Sequence, residues 1–153
     1  MGTAGRPGAV LLGCLLSVCL LVAACSSPSH AGASYEQIVK PANAAWATFV
    51  TRARTWPGGE VPASGAVLAQ DVVKSWKEAN RRLLANPWPG SDRSEIAALV
   101  RADTKVYREL EELPTTGAAV DEWWARLISS FSTEQAAAAR VRLALHLPAL
   151  TGS

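Results

Sequence analysis

Asp92 to Leu113 reads DRSEIAALVRADTKVYRELEEL. Ile96, Leu99, Val100, Val106, Tyr107, Leu110 and Leu113 recur at three- and four-residue steps, which places them on one face of a helix. Ser91 or Asp92 can cap its start, Glu95 puts an acid in the first turn, and Pro114 ends it. A helix with a single apolar stripe must bury that stripe against other elements. The rest of the chain supplies three similar partners.

The first begins at Ser34-Tyr35-Glu36-Gln37, a capping-box pattern, and continues with Ile38, Ala42, Ala45, Trp46, Phe49 and Ala53 at helical spacing. Pro41 predicts a kink or the true first turn, and Trp56-Pro57-Gly58-Gly59 stops the segment. The second carries Leu68, Val72, Trp76, Ala79 and Leu83 and ends before Asn86-Pro87-Trp88-Pro89-Gly90. The fourth follows Gly117 with Val120, Trp123, Trp124, Leu127, Ile128 and Phe131, then Val141, Ala144, Leu145 and Leu147 before Pro148. Ser132-Thr133-Glu134-Gln135 resembles a second capping box, so this last helix is expected to kink or break near 132. No segment alternates with period two. Four amphipathic helices on short connections predict an all-α, antiparallel up-down four-helix bundle.

Upstream of the bundle, Ala9 to Ala24 runs AVLLGCLLSVCLLVAA without a charge, after Arg6. Sixteen residues span about 24 Å as a helix, short of the roughly 30 Å hydrocarbon core, so the stretch reads as a signal peptide. It closes Leu21-Val22-Ala23-Ala24-Cys25 and is followed by Ser26-Ser27-Pro28-Ser29. These residues resemble a bacterial lipobox. The resemblance implies diacylglycerol on the Cys25 sulfur, cleavage before Cys25 by the lipoprotein signal peptidase, and N-acylation of the new terminus. Cys14 and Cys19 would leave with the signal, so no disulfide framework is expected. The expected organisation is a signal peptide over 1–24, a flexible lipid-anchored tether over 25–33, a bundle over 34–148 and a tail over 149–153. His30 falls in the tether on this reading. Location follows: the extracytoplasmic face of the cell membrane, held through acylated Cys25.

Tyr35, then Ile38-Val39-Lys40-Pro41-Ala42-Asn43-Ala44-Ala45, a later Trp88-Pro89, and Val141 through Pro148 resemble small actinobacterial helical lipoproteins. The likeness implies an exported helical domain and carries no activity. The chain departs from it at Ala144-Leu145-His146-Leu147-Pro148, where an acidic residue and a glycine are expected.

Fifteen basic and thirteen acidic residues balance too closely for a nucleic-acid binder. Past the signal, the sole cysteine is Cys25 and His146 is the one histidine of the bundle, so a nucleophile–histidine pair is not expected. Leu143 stands three residues before His146, so the Glu-x-x-His signature of di-iron bundles is missing. Glu109, Glu111, Glu112, Asp121 and Glu122 lack the ligand spacing of a calcium loop. No catalytic residue, metal or cofactor is expected, and the chain does not read as an enzyme.

Asn43 and Asp103 interrupt apolar stripes. If buried they need partners, for which Tyr107, Arg140 and Arg142 are available. A register-fixing hydrogen bond or a place at a face boundary also accounts for both. Trp123 and Trp124 are adjacent and point about 100° apart on a helix, so one of them is a candidate binding surface. Trp88, between prolines, is a candidate membrane-proximal residue or a plug over the bundle end. The expected function is an envelope-associated binding protein whose partner is another envelope protein, or else a carrier of a small apolar ligand or lipid in the bundle core.

Overall fold

The computed structural model describes residues 29–56, 60–114 and 118–149. The expected signal peptide, Cys25, the first residues of the expected tether and the end of the tail lie outside the described residues.

Four helices form the regular structure: α1 (His30–Ala53), α2 (Ala63–Ala85), α3 (Asp92–Glu111) and α4 (Ala118–Ala144). α1 packs on α2, α2 on α3 and α3 on α4, as the short connections require of an up-down bundle. Phe49, Val72, Leu83, Ile96, Leu99, Val106, Trp123, Leu127, Val141 and Leu145 are fully buried where the stripes meet. Burying a side chain such as Phe49 stabilises by roughly 1.5–3 kcal/mol.

Two helix boundaries differ from the sequence reading. α1 begins at His30, not Ser34, so the last residues of the expected tether are helical. Ser29 is the effective cap. Its Oγ accepts from the Gly32 N–H at 3.0 Å, while its hydroxyl donates to the Leu145 carbonyl at 3.3 Å. Ser34 loses because the chain before it has a tertiary reason to be ordered. Gly32 lies so close to Leu147 that an added Cβ would sit 2.8 Å from its Cδ2. Pro41 is tolerated inside α1 on the exposed face, the side also occupied by Gln37, whose carbonyl it leaves without its usual donor.

The second difference is in α4, which runs unbroken for 27 residues through the expected cap at 132. The hydroxyl of Thr133 donates back to the Ser129 carbonyl at 3.2 Å, a bond compatible with a helix interior, and does not cap a new segment. α4 ends in a Schellman motif. Leu147 N–H donates to the Arg142 carbonyl at 2.8 Å and His146 N–H to that of Leu143 at 3.1 Å. This geometry puts His146 at φ 56°, in the left-handed region where glycine is favoured. The departure noted in the sequence thus falls on the one described non-glycine residue with a positive φ.

Tryptophans finish the helix ends. The Trp88 indole N–H donates to the Leu83 carbonyl at 2.5 Å, and that of Trp123 to the Glu109 carbonyl at 2.6 Å. Each acceptor belongs to the last turn of its helix, where carbonyls lack an intrahelical donor. Charges line the outside. Glu78 pairs with Arg81 and Glu109 with Arg126 of α4. Exposed pairs like these contribute at most about 1 kcal/mol each.

Candidate functional site

α1 and α4 should close the fourth side of the bundle, yet their backbones do not pack together along their length. Side chains bridge the seam at separate points. Near the start of α1, Ser29 reaches Leu145, and Arg142 Nη2 meets Glu36 Oε1 at 3.1 Å. Further along, the rings of Trp46 and Phe131 stand 4.3 Å apart. Between these ties lies a cleft of about 350 Å³ that reaches down to α2 and α3.

All four helices line it. α1 supplies Tyr35, Val39, Asn43 and Trp46; α2 supplies Trp76 and Ala79; α3 supplies Leu99 and Asp103; α4 supplies Phe131, Glu134, Gln135, Ala138 and Arg142. Trp46 also lies 5.7 Å from Trp76, so one wall is a continuous aromatic surface. Carboxyls line the cleft as well. Asp103 is buried and Glu134 half-buried, and none of the five ion pairs among the described residues includes either.

Burial first, and then the nearby Glu134 charge, push the Asp103 carboxyl up to about 8. The Asn80 amide faces it and partly offsets the rise, but its geometry falls short of a full hydrogen bond, since both amide atoms are buried and unpartnered. Burial likewise raises Glu134 to about 7. The Tyr35 hydroxyl is shifted upward, first by burial and then by the charges of Glu134 and Asp103. At neutral pH the cleft therefore holds protonated or half-protonated carboxyls, the state expected when carboxylates lose water without gaining a cation.

The sequence candidates distribute unevenly around this feature. Asp103 is buried, as its place in the α3 stripe suggested, but its expected partners are elsewhere. Tyr107 donates to Thr104, Arg140 to Glu95, and Arg142 to Glu36 and the Pro148 carbonyl. Asn43 is not a buried polar residue; it is exposed at the cleft rim. Trp123 is fully buried and Trp124 is half-buried 6.3 Å from Phe49, so the pair does not form an exposed binding surface. Both indoles face the aromatic cluster because α4 packs on α3 on one side and leans towards Phe49 on the other. Trp88 is buried as a plug over the bundle end, its indole bonded to the Leu83 carbonyl. His146 is exposed at the α4 terminus, and the acidic residues of the third connection are drawn into outward pairs, Glu109 with Arg126 and Glu111 with Lys77.

Asn80 and Glu134 were missed as site residues. Asn80 stands on the α2 stripe between Trp76 and Leu83, a signal that could have found it. Glu134 falls on the core-facing side of α4 once the helix is continuous.

A larger surface trough, about 1110 Å³, runs along α2 and the end of α3 over Val61, Ala66, Val73, Leu110 and Leu113. Its rim is self-satisfied: Lys77 meets Glu111 at 2.5 Å and Glu78 meets Arg81 at 2.6 Å. The α1–α4 cleft is smaller but holds the unpaired polar groups, which makes it the stronger site. Among the described residues no group of three or more His, Cys, Asp or Glu side chains converges as metal ligands, and no helix is long and apolar enough to cross a membrane. The chain matches no protein-family model, no curated protein and no solved structure, so the chemistry of the cleft rests on its own geometry.

Proposed function

We propose that this protein is a lipid-anchored binding protein on the extracytoplasmic face of the cell membrane, and that it takes a small, mostly apolar ligand into the α1–α4 cleft. The observation that carries the binding reading is the cleft itself. Its volume lies at the small end of ligand pockets, its walls are largely aromatic and aliphatic, and a few polar groups stand among them. Trp123 is fully buried and Trp124 half-buried, which supports the small-ligand reading over docking of another protein at that pair.

Anchoring rests on the resemblance of Leu21 to Cys25 to a lipobox. The start of α1 adds to it. Three residues separate Cys25 from Ser29, a reach of at most about 14 Å over four steps, so an acylated Cys25 would hold the end formed by Ser29, Trp88 and Leu147 against the membrane. Tyr35 opens the cleft about 9 Å up the helix from Ser29. A ligand leaving the lipid surface would travel a short way to it.

Intact-mass analysis of protein purified from its native membrane tests both parts. Expected are a chain that begins at Cys25, carries acyl mass, and retains a small molecule under native conditions. A full-length precursor without acyl chains overturns the anchoring. A ligand-free protein whose tryptophan fluorescence responds to no apolar amphiphile overturns the cleft reading.

A further inference from the structure

We infer that the cleft selects an organic monocation, an ammonium group on an aliphatic or aromatic body, with the ammonium seated by Asp103 and Glu134 and the body against Trp46, Trp76 and Phe131. This deepens the proposed function and rests on its cleft.

A buried carboxylate is normally paired with a cation or supplied with several donors. Asp103 has neither: it is 8% exposed and forms no ion pair among the described residues. Glu134 adds a second carboxyl to the same space. The cation that lines the cleft, Arg142, is already engaged, its Nη2 on Glu36 at 3.1 Å and its Nε on the Pro148 carbonyl at 2.7 Å. Behind Asp103, Asn80 is 6% exposed with both amide atoms unpartnered. Two carboxyls therefore line a space in which no described cation is free, and an unpartnered amide adjoins one of them.

The aromatic wall complements the carboxyls. Trp46 stands 4.3 Å from Phe131 and 5.7 Å from Trp76, presenting aromatic surface to the cavity. An ammonium held between a carboxylate and an aromatic face gains from both, and most where water is excluded. A neutral apolar ligand would leave the carboxyls without partners, and an anion would add charge of the wrong sign. A dication is less suited than a monocation, because ionising both carboxyls side by side is opposed by their repulsion. One ammonium with one carboxylate, the second carboxyl staying protonated as a donor, leaves the cleft neutral. About 350 Å³ admits a body on the order of ten non-hydrogen atoms.

Proton linkage follows. Asp103 faces Glu134 from α4 and Asn80 from α2, and Tyr35 of α1 stands in the field of both carboxyls, with Glu36 and Arg142 also acting on it. Near pH 6.5 both carboxyls are mainly protonated, so seating the ammonium expels close to one proton to solvent. Affinity for a cation should rise with pH between about 6 and 8.

Calorimetric titration of the soluble domain-bearing Cys25→Ser protein with 4-phenylbutylammonium and with 4-phenylbutan-1-ol tests this. The two probes share a body and differ in charge. The amine is expected to bind at least about tenfold tighter, with proton release read from buffers of different ionisation enthalpy. Asp103→Asn and Glu134→Gln should each shrink the preference. Alcohol binding equal to or tighter than amine binding, or amine binding without proton release, overturns the cation inference and leaves the cleft reading in place. Binding of neither probe with a Kd below roughly 1 mM overturns both. The comparison between probes is made on the unsubstituted cleft, so it stands even if a variant fails to fold.

Discussion

Asp103→Asn should stabilise the ligand-free protein at alkaline pH and leave it nearly unchanged in acid. Burial holds the Asp103 carboxyl near 8 against an ordinary 3.8, so the folded state binds this proton more tightly than the unfolded state does. Stability from this group is therefore fully present below about pH 4 and is lost as pH rises towards 8. The rise sets a ceiling of about 6 kcal/mol on the loss. The seam between α1 and α4 is open to water and Asn80 partly offsets the shift, so about 2 kcal/mol is the expected size. Asn keeps the shape of protonated Asp and cannot ionise. Urea unfolding of both proteins at pH 4.5 and 8.5 isolates the effect of Asp103 and its coupling to Glu134, because the slopes from surface carboxylates are common to both. A stability difference that is the same at the two pH values would refute the reasoning, as would an Asn variant that is the weaker protein at pH 8.5.

Three further substitutions probe the parts of the fold that position the cleft. His146→Gly relieves the positive φ at the end of α4 and should raise stability by about 0.5–1 kcal/mol in thermal unfolding; a lower Tm would contradict the Schellman assignment. Gly65→Ala would place a Cβ 2.6 Å from the Trp56 ring and 2.8 Å from Val61, so chemical unfolding should show a loss of about 1–3 kcal/mol. A neutral outcome would mean that Trp56 does not pack against α2. Asn80→Leu removes two buried, unpartnered amide atoms and should stabilise by about 1 kcal/mol at pH 4.5. The same change takes away the group that lowers Asp103, so it should steepen the loss of stability towards pH 8; a gain that is independent of pH would show that Asn80 and Asp103 do not interact.

The bundle was legible because its stripes are long and end at proline or glycine. Val72, Trp76, Ala79 and Leu83, or Ile96, Leu99, Val106 and Leu110, fall on the buried faces that their spacing implies. Local capping signals were less informative where tertiary contacts compete. Ser34 and Ser132 each carry the right pattern, yet Ser29 caps α1 because the residues after it pack under Leu147, and Thr133 bonds backwards along a continuous α4. Asp103 was visible as a polar residue in an apolar stripe. Its partners were not, since Arg140 and Arg142 are taken by Glu95 and Glu36 across helix–helix distances that no single stripe encodes. Trp123 belongs to the core and Trp124 packs half-buried against it, as their apolar stripe implies. Adjacent indoles on one helix both find cover when neighbouring helices approach from two sides, as α3 and α1 do around Trp123 and Trp124.

The cleft exists because the α1–α4 seam is built from side chains of unequal size. At one end Gly32 lets α1 come within contact of Leu147, and Ser29 ties the two helices directly. Some way along, Trp46 and Phe131 meet ring against ring and act as a strut that keeps the backbones apart. A seam drawn together at one end and propped open further on must leave a gap between, and the residues over that gap are Val39 and Asn43 on α1 and Gln135 and Ala138 on α4, too short to fill it. The floor is then set by α2 and α3, which is how Trp76 and Asp103 come to share one cavity although they lie on different helices. Packing for stability alone would place a large apolar side chain at position 43 or 135 and another at 103. Exposed Asn43, unpaired Asp103 and half-buried Glu134 stand there together, and the choice lowers stability at neutral pH for a space that a ligand of complementary charge would complete.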